Sequence, residues 1–63
     1  MTIIQVLNKY DSMDVDKVML NYDGDESEFD TIEDAEDEAY ENGFDDEDVV
    51  FYKLRNRILK IEM

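Results

Sequence analysis

A long run of unopposed negative charge limits how this chain can fold. The segment from Asp23 to Asp48 contains fifteen acidic residues and no lysine or arginine. The rest of the chain has four acids and six bases, so the net charge is −15 inside the segment and +2 outside it. Because crowded like charges oppose a compact state, a folded chain must spread these carboxylates over its surface. Such segregation favours a function for the negative surface itself.

Length and composition predict a single small folded domain over residues 1–63. The core must be thin at this size, but 43% hydrophobic and 11% aromatic residues exceed what a disordered acidic tail carries. The absence of cysteine excludes disulfides and a cysteine-based zinc site. The net charge of −13 opposes direct binding to nucleic acid or to anionic membranes. We therefore expect a cytoplasmic protein, with no cofactor, whose partner has a basic surface.

The N-terminal third predicts two strands. Residues 2–10 are rich in β-branched and apolar side chains, with alternation that is typical of a half-buried strand. Residues 11–14 form a polar turn, and alternation resumes over residues 15–22. The two segments together predict a hairpin. A further turn at Asp23-Gly24-Asp25 precedes a short third strand over residues 26–29.

The acidic segment itself predicts one helix. Asp30 is a suitable N-cap, Glu33 could close a capping box, and Gly43 is placed to end the helix. An apolar stripe at helical spacing supports this assignment. Its members are Ile32, Ala35, Ala39 and Tyr40.

The C-terminal residues predict a second hairpin. Residues 49–54 have the strongest β propensity in the chain, Arg55-Asn56 is a plausible turn, and residues 57–63 alternate again. The fold class is therefore α+β: a small antiparallel sheet of four or five strands with one helix packed on one face.

The acids of the helix and of the loop after it are the main candidate site residues. Acids four residues apart lie on the same helix face, about 5–6 Å apart, and each such pair weakens an isolated helix by a few tenths of a kcal/mol. Duplex DNA is also an array of closely spaced negative charges, so this surface could occupy a groove built for phosphates. The alternative is an acidic face that only improves solubility. The phosphate surrogates are Glu33, Asp34, Asp37, Glu38, Glu41, Asp45, Asp46, Glu47 and Asp48.

A second set of residues could extend this surface. Its members are Asp23, Asp25, Glu26, Glu28 and Phe44. The run that begins at Asp23 has the composition of a calcium loop, but its sixth and twelfth positions are not the required glycine and glutamate. We therefore assign no metal ligand. Phe44 either packs back on the helix as part of its cap or is an exposed anchor for a partner.

Catalysis has little support in this sequence. Histidine and cysteine are absent, and neither serine has a base beside it. We expect a protein that is not an enzyme. Arg55, Arg57 and Lys60 form the only basic cluster, and pairing of this end with the acids of another copy, or pairing of edge strands, could give a homodimer.

The segment FDTIEDAEDEAYENGFDDEDVVFYKL, from Phe29 to Leu54, resembles small acidic bacteriophage proteins that mimic DNA. The resemblance is in size, in charge and in a helix and sheet edge coated with carboxylates. It implies an antagonist that binds a basic DNA-binding protein of the host and excludes DNA, with a nucleoid protein of the HU type as the favoured target. The alternative targets are uracil-DNA glycosylase, a restriction enzyme or a CRISPR nuclease. A small interaction module without DNA mimicry is the remaining alternative.

Overall fold

Two helices cover one face of a four-stranded sheet in the computed structural model, which describes all 63 residues. The helices are α1 (Ile3–Lys9) and α2 (Ile32–Glu41). The strands are β1 (Lys17–Tyr22), β2 (Asp25–Phe29), β3 (Phe51–Arg55) and β4 (Ile58–Glu62). The α+β class and the four-stranded sheet are confirmed, whereas the expectation of a single helix is wrong. Neither helix has the length and apolar character needed to cross a bilayer.

The sheet is mixed rather than wholly antiparallel, with the strand order β2-β1-β4-β3. The pairs β1–β2 and β3–β4 are antiparallel hairpins, but the central strands β1 and β4 run parallel. Helix α2 connects the two hairpins. This crossover connection places β4 of the second hairpin beside β1 of the first. Both hairpins have tight two-residue turns with positive φ, at Asp23-Gly24 and at Asn56-Arg57. The first turn is confirmed, and the second lies one residue later than predicted.

The prediction of a strand over residues 2–10 is wrong, because this segment begins with a helix. Thr2 is the N-cap of α1: its Oγ1 accepts a hydrogen bond from the backbone N–H of Gln5 at 3.2 Å, and the Thr2 N–H donates to Gln5 Oε1 at 2.9 Å. Ile3, Val6 and Leu7 share the inner face of the helix and are fully buried. The reciprocal cap and the spacing of three and four residues therefore outweigh the β-branched composition. The hairpin predicted with residues 15–22 is absent for the same reason.

Helix α2 forms where the sequence predicts it, with two corrections. Thr31 rather than Asp30 is the N-cap, since Thr31 Oγ1 accepts a hydrogen bond from the Asp34 N–H at 3.0 Å. Tyr40 does not belong to the buried stripe and is 58% exposed, because it lies about 100° around the helix from the fully buried Ala39.

The core lies between the two helices and the sheet, and it contains no buried polar or charged residue. Alternate residues of each strand face this core, including Val18 and Leu20 of β1 and Leu59 and Ile61 of β4. Since both helices lie on this side, the other side of the sheet has no covering layer. We call that side the open face. It consists of Lys17, Met19, Asn21, Glu26, Glu28, Phe51, Lys53, Arg55, Ile58, Lys60 and Glu62.

Candidate functional site

The outer side of α2 and the loop that follows it form a surface of carboxylates, here called the acidic face. It consists of Glu33, Asp34, Asp37, Glu38, Glu41, Asp45, Asp46, Glu47 and Asp48. Burial of Ile32, Ala35 and Ala39 fixes which side of α2 points outward. Seven of the nine acids are exposed, and the exceptions, Glu38 and Asp45, are half-buried. The nine predicted phosphate surrogates therefore lie on two successive segments of ordered chain.

The loop of residues 45–48 is here called the acidic loop. A glycine turn holds its start against the end of α2. Gly43 has a φ of 75°, and beyond it the Phe44 N–H donates to the carbonyl of Ala39 at 3.0 Å. The Phe44 ring is half-buried against the core and lies 5.0 Å from the Tyr22 ring, centroid to centroid. Phe44 therefore packs beneath the loop and anchors it to β1.

The far end of the acidic loop is held by the N-terminus of the chain. The Ile3 N–H, one of the donors that α1 cannot satisfy internally, donates to the carbonyl of Glu47 at 3.0 Å. The Val49 N–H donates to the Met1 carbonyl at 2.8 Å, and Thr2 and Asp48 form an isolated β-bridge. Helix α1 thus has a direct part in positioning the site, since it holds loop residues against the domain.

The charges of the acidic face are not neutralised by neighbouring bases. The structure has two ion pairs, Lys17 with Glu28 at 3.6 Å and Arg57 with Asp16 at 3.0 Å, and neither involves an acid of this face. The acids nowhere gather into a group of three that could hold a metal ion. The carboxylates therefore present a spread array of negative charge rather than a convergent ligand set.

The turn between β1 and β2 adds to this array, and it raises the pKa of a nearby tyrosine. A shallow groove of about 320 Å³ brings Asp23 together with Glu47 and Asp48, with Tyr22 and Met63 as its other walls. The pKa of Tyr22 is raised, first by the interaction of its hydroxyl with the Glu47 carboxylate and then by burial and by the charges of Glu47 and Asp23. Asp23 is thus continuous with the acidic face.

Two further acids of the second predicted set, Glu26 and Glu28, are separated from this array. On β2, Phe29 pairs with Val18 and faces the core, so Glu28 and Glu26 face the other way, on the open face. Asp25 lies at the start of the strand, opposite Tyr22. The structure thus joins Asp23 to the main site and removes Glu26 and Glu28 from it.

Sequence reasoning missed one residue of this surface. Tyr40 is exposed on α2 among the acids, with Glu36 and Asp37 one turn before it. An exposed aromatic side chain within a polar surface is a typical anchor of protein interfaces. Its angular distance from Ile32 and Ala35 is the signal that could have identified it.

No protein-family model, curated protein or solved structure matches this chain.

Proposed function

We propose that this protein is a DNA mimic, which binds through its acidic face to the DNA-binding surface of a basic host protein and blocks DNA binding. The observation that carries the proposal is the density of unpaired charge on a fixed scaffold. Helix α2 has six acids from Glu33 to Glu41, over a rise of about 12 Å. That is one charge per about 2 Å, against one per about 1.7 Å of axis in duplex DNA.

The fixed backbone makes this density useful for recognition. A flexible acidic tail would lose conformational entropy when it binds, whereas α2 and the loop are already ordered by caps and by hydrogen bonds to α1. Tyr40 would add an apolar contact beside the acids of α2. In this role the protein acts in the cytoplasm of a host cell and needs no cofactor.

The favoured target is a small, strongly basic nucleoid protein of the HU type. The acidic face is a convex helix and loop without a deep apolar pocket, which fits a diffuse basic surface better than an enzyme cleft that inserts a side chain. A uracil-DNA glycosylase, a restriction enzyme or a CRISPR nuclease is the alternative target class.

The test is displacement of labelled DNA from a panel of such host proteins, measured by fluorescence anisotropy at low salt. The protein should release DNA from at least one of them, and release should weaken as salt rises, because binding depends on many charge contacts. Failure to release DNA from any panel member at low salt would refute the proposal.

A matched pair of variants separates the acidic face from net charge alone. The triple variant E33Q/D37N/E41Q removes three charges from α2, and D14N/E26Q/E62Q removes three charges that lie outside the acidic face. We expect the first to weaken displacement at least tenfold and the second to have little effect. Equal weakening by the two would show that net charge alone, rather than the acidic face, drives displacement.

A further inference from the structure

The open face has a charge pattern unlike the rest of the molecule. It contains four of the six bases, Lys17, Lys53, Arg55 and Lys60, together with three acids, so its net charge is +1. The remaining residues therefore sum to −14, given −13 for the whole chain. In a molecule so strongly negative, this sheet surface is the region that a second negative molecule can approach most easily.

Charge is also segregated across the open face. One row of paired residues runs from Glu28 on β2 through Met19 and Lys60 to Lys53 on β3. The β2 edge of the row is therefore acidic and the β3 edge is basic. Lys53 and Lys60 are direct cross-strand neighbours, and neither is in an ion pair, so this edge carries repulsion that an added acid would relieve.

The middle of the open face is partly apolar. Met19 and Ile58 lie half-buried on the two central strands, and Phe51 on the β3 edge is 50% exposed. A shallow groove of about 540 Å³ runs along β3 and β4, and Phe51 and Ile58 are its apolar walls among the bases. An apolar centre with a charged rim is the usual anatomy of a protein interface.

We propose that the open face binds the open face of a second copy of this chain, in a two-fold symmetric dimer. A two-fold axis parallel to the strands and between β1 and β4 places the β2 edge of each copy over the β3 edge of the other. Glu28, which pairs with Lys17 of its own chain at 3.6 Å, then also faces Lys53 of the other copy, so one contact of opposite charge occurs twice. This inference is independent of the proposed function.

The same arrangement keeps the strongest negative surfaces apart. Packed sheets are about 10 Å apart, and the two helical layers lie beyond them on opposite sides of the dimer. The acids of the two α2 helices are then separated by much more than the Debye length of about 8 Å at physiological salt. A head-to-tail contact between the open face of one copy and the acidic face of another would instead leave one open face and one acidic face of each pair free, and its repetition would build closed rings or open chains.

The size of the open face sets the expected affinity. Four strands at about 4.8 Å spacing and five residues at about 3.3 Å rise give roughly 300 Å² of flat area per copy. Even with the relief of its side chains, this is a small patch beside the approximately 800 Å² of accessible surface that each partner buries in a standard interface. We therefore expect a monomer–dimer equilibrium with a dissociation constant in the micromolar range or weaker.

Sedimentation equilibrium of the full chain in about 0.15 M NaCl, from about 10 μM to 1 mM, tests the proposal. The average mass should rise from 7.5 kDa towards twice that value and no further. Lys53→Glu and Glu28→Lys should each weaken the dimer at least tenfold, since each places like charges opposite one another. A mixture of the two variants should dimerise again, because every contact in the mixed dimer is between opposite charges.

Matched controls are Lys9→Glu on α1 and Glu33→Lys on α2, which make the same charge changes away from the open face. Both should leave the dimer unchanged, and circular dichroism should show that all four variants are folded. Three results would overturn the proposal: a monomer at 1 mM, growth beyond the dimer, or a mixture that remains as monomeric as its components.

Discussion

Gly43 has a conformation that few other residues can adopt, and the acidic loop depends on it. Its φ is 75°, and a Cβ added there would meet nothing within 4 Å, so the only obstacle to a side chain is the backbone conformation. We expect Gly43→Ala to lower the free energy of unfolding by about 1–2 kcal/mol, measured by urea denaturation. Gly43→Asn is the matched control and should cost less, since asparagine tolerates this region. Equal stability of the alanine variant and the wild type would contradict this account of the cap.

Tyr22 makes the stability of the domain dependent on alkaline pH. The nearby Glu47 carboxylate raises the pKa of Tyr22 above its ordinary value of about 10, so the folded state holds the phenol proton more tightly than the unfolded chain does. The stabilisation is complete below pH 10 and is lost as the pH rises through the pKa of the folded state.

Melting temperatures of the wild type and of Tyr22→Phe between pH 8 and 11 test this expectation. The phenylalanine variant keeps the ring against Phe44 but has no hydroxyl, so its stability should fall less above pH 10. The pKa of Lys9 is also raised, chiefly by its hydrogen bond with Tyr52. Lys9 is present in both proteins, so the difference between the two curves gives the contribution of Tyr22 alone to the pH dependence of stability. Parallel curves would show that the interaction of Tyr22 with Glu47 does not make stability depend on pH.

Helix α1 links its own cap to the order of the acidic loop. We expect Thr2→Ala to cost about 1 kcal/mol of folding free energy, because it removes the acceptor for the Gln5 N–H. The amide protons of Ile3 and Val49 should also exchange faster with solvent. The Ile3 N–H donates to the Glu47 carbonyl in the loop, and the Val49 N–H donates to the Met1 carbonyl. Thr2→Ser keeps the hydroxyl and is the control. Unchanged exchange rates in Thr2→Ala would show that the N-cap of α1 does not affect the order of the acidic loop.

Elements with a local signal were predictable from the sequence, and one element with two competing signals was not. The turn at Gly24 and helix α2 depend on side chains within a few residues, and both are confirmed. The segment of α1 has β-branched residues that favour a strand. Thr2 and Gln5, three residues apart, also match a capping box, which favours a helix. Packing of this segment against α2 selects the helix.

The arrangement of the strands depends on contacts that no local pattern encodes. The parallel pairing of β1 with β4 joins residues about forty positions apart, and the sequence does not specify which strands become neighbours. The acidic face was predictable because most of it is one helix and one loop. The open face was not, because Lys17, Lys53 and Lys60 come from three strands and meet only through the order β2-β1-β4-β3.

At the scale of the whole molecule, the two sides of the sheet have opposite electrostatic roles. The helical side carries the uncompensated acids, and the open face carries most of the bases. The domain measures about 26 × 19 × 19 Å, so many of its carboxylates lie within a few Debye lengths of one another. Self-repulsion is therefore a property of the entire fold rather than of any one pair.

This repulsion predicts that moderate salt stabilises the domain. Between about 0.01 and 0.15 M NaCl the Debye length shortens from about 30 to 8 Å, and screening should weaken the repulsion more in the compact state than in the expanded unfolded chain. We expect the melting temperature to rise over this range. The E33Q/D37N/E41Q variant has three fewer charges on α2, so it should melt higher than the wild type at low salt and gain less from added salt. Screening also weakens the two surface ion pairs, but such pairs contribute little. A melting temperature that falls over this range would show that the carboxylates do not destabilise the fold.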